Sequence, residues 1–66
     1  MDAPFQINLA AARVNAGMTQ EYVSEKLEIS RATLAKWESG KSRPSTIMLN
    51  ALCELYKISV DYIFLQ

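Results

Sequence analysis

Three places along this chain repeat one short arrangement: an apolar residue, a hydroxyl residue, and a second apolar residue four positions after the hydroxyl. Met18-Thr19 is followed by Val23, Ile29-Ser30 by Leu34, and Ile58-Ser59 by Ile63. This is the pattern of a helix start. The hydroxyl accepts from an otherwise unpaired backbone N–H, and the two apolar side chains meet across the cap and set the approach angle. All three fall at breaks in apolar periodicity, and together they predict five helices. Helix 1 spans about residues 5–16 and stops at Gly17, a residue suited to the left-handed position after a helix. Helix 2 covers residues 20–27, and a short turn, Glu28-Ile29, leads to Ser30. Helix 3 runs over residues 31–39 and ends at Gly40. A polar loop, Lys41-Ser42-Arg43-Pro44, leads to a cap at Ser45. Helix 4 then runs to about residue 56, where Met48, Leu49, Leu52, Cys53, Leu55 and Tyr56 form a broad apolar stripe. Helix 5 is short, over about residues 60–65. No Asn-Gly or Asp-Gly pair marks a hairpin, and no alternating run persists. The expected architecture is all-α: a single compact five-helix domain over residues 1–66.

Composition narrows the classes of function. With 66 residues there is room for one small domain. Half the residues are hydrophobic and two are proline, which excludes a disordered tail. One cysteine makes neither an internal disulfide nor a cysteine-rich zinc site. The absence of histidine removes the commonest acid–base group and metal ligand. No cofactor or metal is implied. No apolar run approaches the roughly 18 residues of a membrane span, and the first six residues carry no basic cluster. The expected location is cytoplasmic (bacterial cytoplasm or nucleoid), with no membrane partner. Seven Lys+Arg balance seven Asp+Glu. A net charge of zero at first argues against a polyanionic partner.

The outer face of helix 3 changes that picture. Helices 2 and 3 are short, are joined by a turn of about three residues, and share the apolar set Val23, Leu27, Ile29, Leu34 and Trp37. Two such helices form the helix-turn-helix unit, here over about residues 20–39. At 100° per residue, Leu34, Trp37 and Glu38 lie on one face of helix 3, and Arg31, Ala32, Ala35 and Lys36 lie on the other. Small residues between long cations let a helix sink into a major groove while the cations reach base edges or phosphates. The plainer reading is that Arg31 and Lys36 only keep an exposed helix solvated. Residues 30–43 hold four cations (Arg31, Lys36, Lys41, Arg43) and one acid (Glu38), a net +3, and the remainder of the chain carries −3. The zero is therefore two opposed poles, and the positive one coincides with helix 3 and the loop after it.

The stretch MTQEYVSEKLEISRATLAKWESGKSRPS, followed by KISVDYIF, resembles the Cro/phage-repressor (XRE-type) helix-turn-helix DNA-binding family. The resemblance runs from about residue 9 to residue 64. It is carried by Arg13, Thr19-Gln20, Ser30-Arg31, the run Trp37-Glu38-Ser39-Gly40-Lys41, Pro44, and Ser59-Val60-Asp61-Tyr62. It implies sequence-specific binding of double-stranded DNA by a homodimer on a near-palindromic operator. By position it implies that Arg31, Ala32 and Lys36 face bases. It places Gln20, Ser30, Thr33, Lys41 and Arg43 near the phosphate backbone. It also implies an ion pair between Arg13 and Glu38. That pair answers a local difficulty, because a carboxylate near the C-terminus of helix 3 is disfavoured by the helix dipole. Two positions depart from the family pattern. Ser24 stands where alanine is usual, and Glu28 stands where glycine is usual. Glu28 therefore implies either a left-handed non-glycine residue or a slightly different turn.

Other conspicuous residues have structural explanations. Trp37 shares the phase of Leu34 and is expected in the core rather than as a base-stacking platform. Cys53 lies among the apolar residues of helix 4 and is expected to be buried. Tyr62, Phe64 and Leu65 are more ambiguous. Either Phe64 and Leu65 wrap beneath helix 1, or the run forms a dimer interface, the reading preferred here. The expected function is a transcriptional regulator, a repressor, and no enzyme, since no catalytic constellation is present. The alternative is an antitoxin-like or other protein-interaction module that docks a protein partner through the apolar C-terminus.

Overall fold

The computed structural model describes residues 6–65. Four α-helices appear in order: α1 (Leu9–Asn15), α2 (Gln20–Leu27), α3 (Arg31–Ser39) and α4 (Thr46–Tyr56), followed by a three-residue 3-10 turn, Val60–Tyr62. Every start is capped by a side chain. Thr19 accepts from the Tyr22 N–H, Ser30 from Thr33, Ser45 from Met48, and Ser59 from Asp61.

The helix ends follow one rule as well. The N–H groups of Met18, Ile29, Lys41 and Ile58 each return to the carbonyl five residues earlier, on Arg13, Ser24, Lys36 and Cys53 respectively. That closure needs a left-handed residue just before each donor. Gly17 and Gly40 supply it without strain, at φ 75° and 84°. Glu28 and Lys57 supply it at φ 57° and 58°, where a side chain costs roughly 1–2 kcal/mol. The turn after α2 thus keeps its left-handed geometry despite lacking glycine.

Two elements differ from the sequence expectation. Helix 1 does not start near Phe5, which lies outside the described residues. It starts at Leu9, with Asn8 as the cap accepting from the Ala11 N–H. The fifth helix is not found, and among the described residues the all-α fold has four α-helices rather than five. Both differences have one cause. The Ile7 N–H donates to the Tyr62 carbonyl at 2.9 Å, and the Phe64 N–H donates to the Ile7 carbonyl at 2.8 Å. This parallel bridge between Ile7 and Ile63 satisfies backbone groups that a helix would otherwise use. A six-residue segment gains too few internal hydrogen bonds to outweigh the cost of helix nucleation.

The core draws on all four α-helices and on Ile63. Leu9, Ala12, Val23, Leu34, Leu52, Cys53, Tyr56 and Ile63 are buried. Met18, Ile29, Trp37, Ile58 and Leu65 pack against them. Trp37 and Cys53 are therefore core residues. Ser24 is buried as well, with its hydroxyl donating to the Glu21 carbonyl at 3.0 Å. Among the described residues, no helix is long and apolar enough to cross a membrane.

Candidate nucleic-acid interface

Leu34 is fully buried and fixes the rotation of α3. With that side anchored in the core, Arg31, Ala32, Ala35 and Lys36 all emerge on the exposed side. The start of α3 is doubly held. The Thr33 N–H donates to Ser30 Oγ at 3.0 Å, and the Ser30 hydroxyl donates to Thr33 Oγ1 at 2.9 Å. These bonds fix the first turn, from which Arg31 projects.

The end of α3 shapes the following loop. The Lys36 carbonyl accepts from the N–H groups of Lys41 at 3.0 Å and Ser42 at 3.3 Å, and from the Ser39 hydroxyl at 3.2 Å. The loop therefore folds back over the last turn of α3, which keeps the exposed Lys41 and Arg43 beside that helix. Arg31, Lys36, Lys41 and Arg43 form no ion pair among the described residues. Four exposed and uncompensated cations on one helix and its adjoining loop make a surface that attracts phosphate.

The acids are distributed differently. Glu21, Glu25 and Glu28 lie exposed on or just after α2. Glu38 turns inward: its side chain is 7% exposed, and its Oε2 accepts from Arg13 Nε at 2.8 Å. Arg13 also donates through Nη1 to the Met18 carbonyl at 2.8 Å. The other oxygen of Glu38 accepts from Gln20 Nε2 at 2.9 Å. Gln20, the first residue of α2, thus sits between the buried pair and the surface.

At the C-terminal end the side chains divide. Ile63 is buried, and Leu65 packs on the core. Tyr62 is 37% exposed and Phe64 51% exposed. Phe64 thus leaves about half its surface to solvent while Leu65 packs inward.

Three features escaped the sequence reading. Ile7-Asn8 followed by Ala12 repeats the cap pattern, with asparagine in place of a hydroxyl residue. Lys57 occupies the slot before Ile58-Ser59 that Gly17 and Glu28 occupy before the other two caps. The bond from Gln20 to Glu38 joins residues 18 apart and has no local signal.

The family model described as helix-turn-helix matches residues 9–63. The HTH-type transcriptional activator BcrR of Enterococcus faecalis is 33% identical over 57 residues, covering 86% of this chain and 28% of that protein. The HTH-type transcriptional regulator ImmR of Bacillus subtilis (strain 168) is 40% identical over 55 residues, covering 83% of this chain and 43% of that protein. The chain thus spans less than half the length of either relative. The matched region takes in all four helices, the 3-10 turn and the cationic face of α3. On that match, the chain belongs to the XRE-type helix-turn-helix family.

Proposed function

We propose that this chain is a sequence-specific regulator of transcription that binds double-stranded DNA, with α3 in the major groove. The observation that carries this reading is the exposed face of α3 and its loop, where four cations lack any acidic partner among the described residues. Arg31, Ala32 and Lys36 face base edges. The two alanines leave room for the helix to enter the groove, and an arginine at the first turn matches the O6 and N7 acceptors of guanine. Gln20, Ser30, Thr33, Lys41 and Arg43 meet the phosphates and set the register.

The chain acts as a homodimer on a near-palindromic operator, meeting its second copy through Tyr62, Phe64 and Leu65. The exposure of Phe64 at the end of the domain supports that surface, and a single short reading helix gains selectivity by doubling. Its action is repression, because occupancy of an operator excludes other proteins without a further surface. The two relatives, one named a transcriptional activator and the other a transcriptional regulator, support the regulatory reading and not its sign. The same exposed Phe64 supports a second reading, in which the apolar end docks a different protein.

Selection from a random duplex library at two salt concentrations, beside sedimentation equilibrium, tests these readings. The expected result is an enriched two-fold motif, affinity that falls steeply with salt, and a dimer that Phe64→Ala weakens. No enriched motif, or unchanged affinity after Arg31→Ala and Lys36→Ala, defeats the DNA reading. Recovery of a stoichiometric foreign partner through Phe64, without DNA binding, favours the second reading.

A further inference from the structure

The side-chain nitrogen of Gln20 carries two N–H groups. One is already committed, to Glu38 Oε1 at 2.9 Å. A planar amide with one N–H fixed has little freedom left for the other. The anchor is itself immobilised, because Glu38 Oε2 is held by Arg13 Nε at 2.8 Å in a largely buried pair. The same guanidinium holds the Met18 carbonyl, in the loop just before the Thr19 cap. One chain of charge-assisted hydrogen bonds therefore ties α1, the loop before α2, the first residue of α2 and the last turn of α3. The second oxygen of Glu38 is reached by Arg13 Nη2 only at 3.5 Å and takes its shorter bond, 2.9 Å, from the half-buried Gln20. Gln20 stands at the N-terminal end of α2, where backbone N–H groups already favour an anion.

We infer that Glu38, backed by Arg13, is a positioning residue for DNA binding, holding the Gln20 amide so that its second N–H is presented to a backbone phosphate. The inference rests on the DNA-binding reading above. A free glutamine would lose rotamer entropy on binding. One already held by Glu38 has lost it on folding, so the contact gains affinity.

The test is a double-mutant cycle in DNA affinity, using the selected duplex at fixed salt. The proteins are the unaltered chain, Gln20→Ala, Glu38→Asp and the double variant, each verified as folded by far-ultraviolet circular dichroism. Glu38→Asp keeps the charge but draws the carboxylate back by one methylene, so it is the gentler alternative to Glu38→Ala. Each single variant is expected to weaken binding by about 3- to 10-fold, the worth of one hydrogen bond. Glu38→Asp is expected to cost nothing further once Gln20 is alanine. Equal losses in both backgrounds would overturn the inference, as would unaltered affinity in Glu38→Asp.

A second readout needs no DNA. The two Nε2 protons of Gln20 should resonate well apart in the free protein and converge in Glu38→Asp; an unchanged pair of resonances overturns the inference. If the unaltered chain selects no duplex, the DNA-binding reading fails first and takes the inference with it. That failure is visible before any variant is compared.

Discussion

Replacing Glu38 by alanine removes the carboxylate that Arg13 and Gln20 share. Breaking a buried pair by deleting one partner costs about 3–5 kcal/mol, because the remaining charge stays out of water. Arg13 and Glu38 are 14% and 7% exposed, so solvent screens the pair little. One term acts the other way. Glu38 lies in the last turn of α3, and its removal relieves a dipole penalty of about 0.3–1 kcal/mol. The net loss is about 2–4 kcal/mol. A domain of this size holds roughly 3–10 kcal/mol in total, so Glu38→Ala should lower Tm by roughly 10–25 °C. Glu38→Gln should cost less than Glu38→Ala, because its amide oxygen still accepts from Arg13 and the Gln20 amide can flip to accept from its nitrogen, although the guanidinium loses its counter-charge. Urea unfolding followed by circular dichroism measures all three proteins, and Arg13→Ala together with the Arg13→Ala/Glu38→Ala double variant completes a cycle that isolates the pair. A loss below about 0.5 kcal/mol for Glu38→Ala, or a coupling near zero, would refute this reasoning.

Other consequences are open to the same methods. The buried Tyr56 hydroxyl has no hydrogen-bond partner among the described residues, so Tyr56→Phe should be neutral or stabilising by about 1 kcal/mol, and a clear loss would reveal a partner. Burial first, and the Glu38 carboxylate second, push the Tyr56 phenol up to about 12, with Arg13 opposing. The folded value lies above the unfolded one, so this stabilisation is complete below about pH 10 and is lost as pH rises toward about 12. Urea midpoints for the unaltered chain should therefore fall more than those of Tyr56→Phe across that window. Glu28→Gly should relieve left-handed strain of roughly 1–2 kcal/mol against an entropy cost of about 0.5–1, a net gain of about 1 kcal/mol in thermal unfolding. Arg43→Ala should lower the slope of log affinity against log salt by about 0.9 without changing the selected motif.

The sequence is most legible where structure is local. The bounds of α2 and α3 follow from caps and stops separated by fewer than a dozen residues: Thr19, Ser30 and Gly40. Two of the failures share a physical origin. Helix 1 and the region after Ser59 look helical when each is read alone, yet they meet in the bridge of Ile7 with Ile63, and that pairing spans nearly the whole chain. Lys57 was hidden for another reason, since its side chain is unsuited to the left-handed region and the context of Cys53, Ile58 and Ser59 overrides the propensity. The cationic face of α3 was readable because Leu34 fixes its rotation. How Gln20 is held was not, because that depends on where α1 brings Arg13.

The same apolar residue that closes one helix also opens the next, and this explains how so short a chain positions its cationic face. Met18, Ile29 and Ile58 each donate the N–H that completes the preceding helix end. Each then stands just before the hydroxyl cap of the next element and packs on the shared core. A single side chain thus fixes the stop, the direction of the turn and the start, leaving a connection almost no conformational freedom. Between α2 and α3 that connection is Glu28-Ile29-Ser30, so the angle at which α3 leaves α2 depends on the burial of Ile29 and on the left-handed geometry at Glu28. With Leu34 setting rotation and Ile29 setting direction, the exposed cations need no contact of their own to be held in place. They are free to remain unpaired, and their charge stays available to an anionic partner although the chain as a whole carries none.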